Sequence, residues 1–164
     1  MVPKTFQEAV AAVIEEVSGG EPVGAGDIDA AVQYLEQQVR LLHTGIRVSP
    51  SETEGLWMGT LRGGLDGLVD LTGQEPAEAL GSIGRLVVSK QLDYGSGNIL
   101  AFGEFGVLVR LNDKIERIKN LRRTGKSPAN ESVLDSWRDI CGYSLISVML
   151  LRGWFTLPLA EAAV

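Results

Sequence analysis

Apolar residues recur through this chain at i, i+3, i+4 and i+7, and the alternating apolar and polar runs of a half-buried strand are scarce. This rhythm predicts an all-α fold, a bundle of about six helices. The first covers about Lys4 to Val17, with Phe6, Val10, Val13 or Ile14 and Val17 on one side, and Ser18-Gly19-Gly20 ends it. A second, about Asp27 to His43, carries Ile28, Ala31, Val32, Leu35, Val39 and Leu42 behind an Asp27 cap, and Thr44-Gly45 closes it. A third spans Ser51 to Leu71, with Ser51 as cap, and a fourth runs from about Glu75 to Leu92 with Pro76 in its first turn. Turn formers crowd Asp93 to Asn98, which reads as a loop. The fifth helix covers about Glu104 to Arg123, and the sixth starts after Asn130, a good N-cap, and reaches Arg152 or Trp154. The second half of that last helix is apolar nearly all round, so it belongs at the centre of the bundle. No internal repeat is visible. Residues 1–84 form an N-terminal helical region packed with residues 85–164 as one domain.

The third helix contains Gly59, Gly63, Gly64 and Gly67, each costing about 1 kcal/mol against Ala in a helix. Close helix packing explains them. Gly59 and Gly63 lie one turn apart and offer a flat strip to another helix or to a second copy of the chain. On this ground, with Trp57 and Trp154 as candidate contacts, the bundle is expected to be completed by dimerisation, although core burial explains the tryptophans equally well.

With 164 residues the chain hides about two thirds of its unfolded surface, so disulfides and structural metal are not needed to hold a core. The lone Cys141, in an apolar run, and the absence of a basic-then-apolar leader point to a reducing, cytoplasmic setting. The lone His43 disfavours paired-histidine metal sites and a Ser-His relay. The net charge of −6 is uneven. Residues 85–126 hold nine basic against four acidic side chains, a net +5, which leaves −11 elsewhere. A basic island in an acidic protein suits a compact anion better than a long nucleic acid, and a membrane span is not expected. The plainer reading of the island is a solvated helix face.

Glu131, Asp135 and Asp139 recur every four residues along a stripe of the last helix that later turns into core. A carboxylate facing an interior needs a cation beside it. Asp113 and Glu116 are a second acidic set on the preceding helix. Two antiparallel helices joined by a short turn bring the sets face to face, an all-oxygen site suited to Mg2+ or Mn2+. In the simpler alternative Asp113 pairs with Arg117 at i, i+4 and Glu131 offsets the helix dipole in the first turn. The preceding loop adds Lys90 for phosphate, Tyr94 for stacking or a hydroxyl bond, and Asn98 for a base edge, with Asp93, Arg110, Lys114 and Arg117 nearby. An ordinary turn with Tyr94 tucked into the core explains the same loop.

The run Lys90-Gln91-Leu92-Asp93-Tyr94-Gly95, then Asn98, Gly103-Glu104-Phe105-Gly106-Val107 with Arg110, Asp113-Lys114 and Arg117, and finally Glu131 to Tyr143 resembles the nucleotide modification associated domain of many phage proteins, over about residues 85–154. The resemblance implies phage nucleotide metabolism or DNA modification, in a host cytoplasm. More loosely, the chain is similar to the MazG-like all-helical nucleoside triphosphate pyrophosphohydrolases. Those hold Mg2+ with two acid-x-x-acid pairs; Asp113 and Glu116 fit the first, whereas Leu134 stands where an acid should follow Glu131. This implies a Mg2+-dependent pyrophosphohydrolase with Asp113, Glu116, Asp135 and Asp139 catalytic, and these four with Glu131 as metal ligands. Lys90, Asp93, Tyr94, Asn98, Arg110, Lys114 and Arg117 then hold the nucleotide. The alternative is a non-catalytic protein that binds a nucleotide or nucleotide-derived signal, such as a sponge against host immune signalling. The two part on one observation: whether the acids converge on a shared point or pair with Lys and Arg.

Overall fold

The computed structural model describes residues 1–20, 24, 26–49, 52–129 and 131–161. Every regular element among them is a helix, with no strand: α1 (Phe6–Ser18), α2 (Ile28–Val48), α3 (Thr53–Thr72), α4 (Pro76–Tyr94), α5 (Gly97–Leu100), α6 (Gly103–Thr124) and α7 (Val133–Leu151). The all-α reading therefore holds, with one helix more than expected. Within Asp93 to Asn98 the chain is not wholly loop: α4 continues to Tyr94, and α5 adds one turn from Gly97. Between them Gly95 takes φ 62 and ψ −159, a conformation a side chain disfavours, and this lets the chain turn sharply out of α4.

Local chemistry explains most helix ends. The Asp27 carboxylate accepts the Ala30 amide at 2.9 Å, as an N-cap should. Ser132 caps α7: its hydroxyl accepts the Asp135 amide at 3.1 Å and donates to the Asp135 carboxylate at 2.7 Å. The expected caps Ser51 and Asn130 lie outside the described residues. Helix α2 runs through Thr44-Gly45 to Val48, past its expected end. Gly45 serves there as a small residue, because a Cβ on it would stand 3.1 Å from Thr53 Cγ2.

Helices α3 and α7 form the centre. Helix α7 packs on α1, α3, α4 and α6, and α3 packs on α1, α2, α4 and α7. The glycines of α3 divide between two neighbours. A Cβ at Gly59 or Gly63 would fall 2.7 Å from the Tyr34 side chain of α2, and at Gly64 it would fall 2.9 Å from Ile140 and 3.0 Å from Cys141 Sγ. At Gly67 it would overlap the fully buried ring of Trp137. The glycine strip thus receives a helix of its own chain. Trp57 is likewise fully buried, its indole N–H donating to Glu104 Oε1 of α6 at 2.6 Å, so it is a core residue. Arg152, at the end of α7, ties the bundle's far side together through Glu16 of α1 at 2.7 Å and Glu54 of α3 at 2.6 Å.

Interdigitation this tight has a direct consequence. Gly67→Ala is expected to lose about 1–3 kcal/mol by overpacking against Trp137, a fall in Tm of about 3–10 °C for a chain of this size. Gly142→Ala, whose Cβ would meet Val87 at an ordinary 3.6 Å, should stay within about 1 kcal/mol of the parent. Thermal unfolding of the two variants beside the parent checks this, and equal Tm values for both would contradict the packing.

Candidate functional site

The last turn of α4, the one-turn α5, one face of α6 and the middle of α7 enclose a cavity of about 500 Å3. Its cations come from two helices: Lys90 from α4, and Arg110, Lys114 and Arg117 from α6. The α6 set follows from spacing, since positions i, i+4 and i+7 share one helix face. Asp113 lies on the same face. Tyr94, Gly95 and Asn98 edge the opening, and Tyr143 and Ile146 of α7 line the wall. Val87, Gln91 and Ile99 also line it, and Phe6 and Phe155 complete the lining, their rings edge to face at 5.8 Å. The chain ends are held there because the Phe6 amide donates to Pro158 O at 2.8 Å.

Asp139 is the electrostatic centre. It is 9 % exposed and accepts Lys90 Nζ at 2.8 Å on one oxygen and Lys114 Nζ at 3.0 Å on the other. Lys114 also meets Glu131 at 2.7 Å. Burial pushes the Asp139 carboxyl up, but the two ammonium groups outweigh burial and hold it below its ordinary value of 3.8. Burial likewise works against the Lys114 charge, and Glu131 and Asp139 overcome it, so the lysine titrates above its ordinary value. Burial, aided by the Asp139 charge, raises the Tyr143 phenol. One ion network thus fastens α4, α6 and the start of α7.

Arg117 fixes the α6–α7 connection. Its guanidinium donates to the Glu131 carbonyl, to Ser132 O at 3.3 Å and to the buried Ser136 hydroxyl at 2.6 Å. The i, i+4 pairing of Arg117 with Asp113 does not form. Among the described residues Arg110 makes one long bond, 3.4 Å to Asn98 O, and no ion pair. Asp113 has neither an ion pair nor a hydrogen bond among the described residues. Tyr94 is 68 % exposed, so the reading that tucks it into the core is corrected: it stands at the rim.

The five carboxylates expected to bind metal are not brought together. Glu116 turns toward α2, paired at 2.9 Å with Lys119, which also meets Glu36 at 2.5 Å. Asp135 is spent on the Ser132 cap, with Arg138 at 3.9 Å. Glu131 precedes α7 instead of lying in its first turn, and it and Asp139 are occupied by lysine. Among the described residues no three of His, Cys, Asp and Glu stand close enough to hold an ion. Among the described residues these carboxylates therefore offer no shared site that holds a cation by protein ligands alone. The physical reason is that Lys90 and Lys114 supply the compensation that the acidic stripe requires. Of the residues expected to hold ligand, Lys90, Tyr94, Asn98, Arg110, Lys114 and Arg117 line the cavity together, and Asp93 does not.

Sequence reasoning missed Phe6, Val87, Gln91, Ile99, Tyr143, Ile146 and Phe155. The i, i+3 pair Tyr143 and Ile146, four and seven residues beyond Asp139, was the available signal for α7. Nothing local marked Phe6 or Phe155, which reach the site only through tertiary packing. Cys141 is no nucleophile, because complete burial pushes its thiol up to about 12.

Residues 90–151 match the family model described as nucleotide modification associated domain 1. The matched segment begins in the last turns of α4, ends with α7, and contains every lining residue except Phe6, Val87 and Phe155. No curated protein and no solved structure matches the chain. No helix among the described residues is long and apolar enough to cross a membrane.

The ion network sets a pH dependence. The Asp139 carboxyl sits lower when folded than when unfolded, so its stabilisation is complete above the unfolded value and lost as pH falls through the folded one. Asp139→Asn is expected to lose about 2 kcal/mol near pH 7, the worth of hydrogen bonds to a charged group. Its deficit should shrink as pH falls below 3.8. Urea midpoints of parent and variant from pH 7 downward check the sign; a deficit independent of pH would contradict it.

Proposed function

We propose that this chain binds a nucleotide or nucleotide-derived phosphate in the cavity between α4, α5, α6 and α7, and does so without a metal ion. One observation carries the reading: within the segment that matches the nucleotide modification associated domain, four cations meet aromatic and apolar walls around a space of about 500 Å3. That volume lies in the range of small-ligand sites. Phosphate needs fixed donors, and Arg110 is the cation whose donors are least engaged. A base needs a flat surface and polar edges, which Tyr94, Tyr143 and Asn98 supply at the rim and wall. Phe6, Val87, Ile99 and Phe155 remove apolar atoms of the ligand from water.

Binding is favoured over magnesium-dependent pyrophosphohydrolysis. Such a reaction draws on carboxylates that share a cation, whereas Asp139 and Glu131 share lysines and Glu116 and Asp135 face elsewhere.

Calorimetric titration with nucleoside mono- and triphosphates in EDTA tests the reading, and recovery of intact nucleotide after denaturation tests the absence of turnover. Binding in EDTA is the expected result. Arg110→Gln should weaken it about tenfold or more, the loss of one charge-assisted hydrogen bond of about 1.5–3 kcal/mol. Binding only with Mg2+, with release of pyrophosphate, would replace this reading with the hydrolase.

A further inference from the structure

We infer that the cavity selects nucleotides carrying a single phosphate, and that Asp113 enforces the choice. The inference rests on the nucleotide-binding reading above and goes further by fixing the charge of the ligand. Four cations line the cavity, Lys90, Arg110, Lys114 and Arg117. Three carboxylates sit among them: Asp113 in the wall, and Asp139 and Glu131 bonded to the lysines. One net positive charge remains.

A phosphate monoester carries about −1.5 to −2 near neutral pH. By the same titration a triphosphate carries roughly −4. The cavity therefore comes close to neutralising the first and leaves the second with several uncompensated charges. Like charges brought together at reduced dielectric are costly, so excess phosphates are opposed by more than a lack of contacts.

The distribution of free groups sharpens this. Lys90 and Lys114 are committed to Asp139 and Glu131, and Arg117 to the start of α7. Arg117 has no ion pair either, but its guanidinium is taken up by the Glu131 and Ser132 carbonyls and the Ser136 hydroxyl, which leaves Arg110 and Asp113 as the least engaged charged lining residues among the described residues. They lie three residues apart on one face of α6, so a ligand along that face meets a cation and then an anion. A single phosphate satisfies Arg110. The acceptor-only carboxylate of Asp113 then suits a hydrogen-bond donor of the same ligand, a sugar hydroxyl or a base N–H. A phosphate chain long enough to continue past Arg110 meets Asp113 instead and is repelled.

The test is calorimetry at constant ionic strength, in EDTA, with the 5′-monophosphates and 5′-triphosphates of the common ribo- and deoxyribonucleosides. For whichever nucleoside binds, the monophosphate is expected to bind more tightly than its triphosphate. In Asp113→Asn the triphosphate should gain at least fivefold in affinity while the monophosphate gains less. Asp113 is exposed and has no partner among the described residues, so the variant should keep the parent's Tm. A triphosphate that binds the parent as tightly as the monophosphate or more tightly overturns this inference and leaves the nucleotide reading standing. So does an Asp113→Asn variant with an unchanged ratio. Failure of every nucleotide to bind overturns both.

Discussion

The site depends on the placement of Asp139 between two lysines. A carboxylate this deep in a helix bundle destabilises the fold unless it is paired, and the pairing decides where α4 and α6 stand relative to α7. Lys90 reaches it from the last turns of α4 and Lys114 from the middle of α6. Once both are seated, the faces of α4 and α6 that flank the lysines border a common space, and Tyr94, Asn98, Arg110 and Asp113 are carried to its edge. The network thus has a structural role, closing the bundle, and a functional one, setting the charge of the cavity.

Behind the network stands a rigid frame. Helix α7 can hold Asp139 in place because its other faces are locked, with Trp137 against Gly67 and with Ile140 and Cys141 against Gly64. Glycine in a helix is unfavourable by itself, and here close approach of α3 to α7 offsets the loss. The chain ends add a second constraint, since the ring pair Phe6 and Phe155 joins α1 to the segment after α7 beside the cavity. A segment matching the family model at residues 90–151 therefore works in a setting that the rest of the chain supplies.

Much of this was legible in the sequence. Helical periodicity marked the elements, and Asp27, Pro76 and the glycine-rich turns marked several ends. The basic island and the run from Lys90 to Asn98 pointed to the face on which the cavity lies. The one-turn α5 was hidden because four residues are too few for periodicity to register. The roles of the acids were hidden for a different reason: spacing gives the direction a side chain takes from its own helix but not what stands opposite. Glu116 follows Asp113 by about 60° of rotation, and that difference turns it to Lys119 and α2. Asp135 shares a stripe with Asp139, yet sits in the first turn, where the capping serine claims it. Phe6 and Phe155 were invisible because only the folded chain brings the two ends together.

On the proposed reading, a nucleotide occupies the space around Lys90, Arg110, Asp113 and Tyr143 without metal. Amide chemical-shift mapping of the 15N-labelled protein, titrated with a nucleoside monophosphate in EDTA, tests it most directly. The expected result is a set of saturable shifts confined to the end of α4, α5, the middle of α6 and the Asp139–Ile146 stretch of α7. Shifts centred on the separate cavity around Arg62 between α1, α3 and α4, or shifts that arise only when Mg2+ is added, would contradict it.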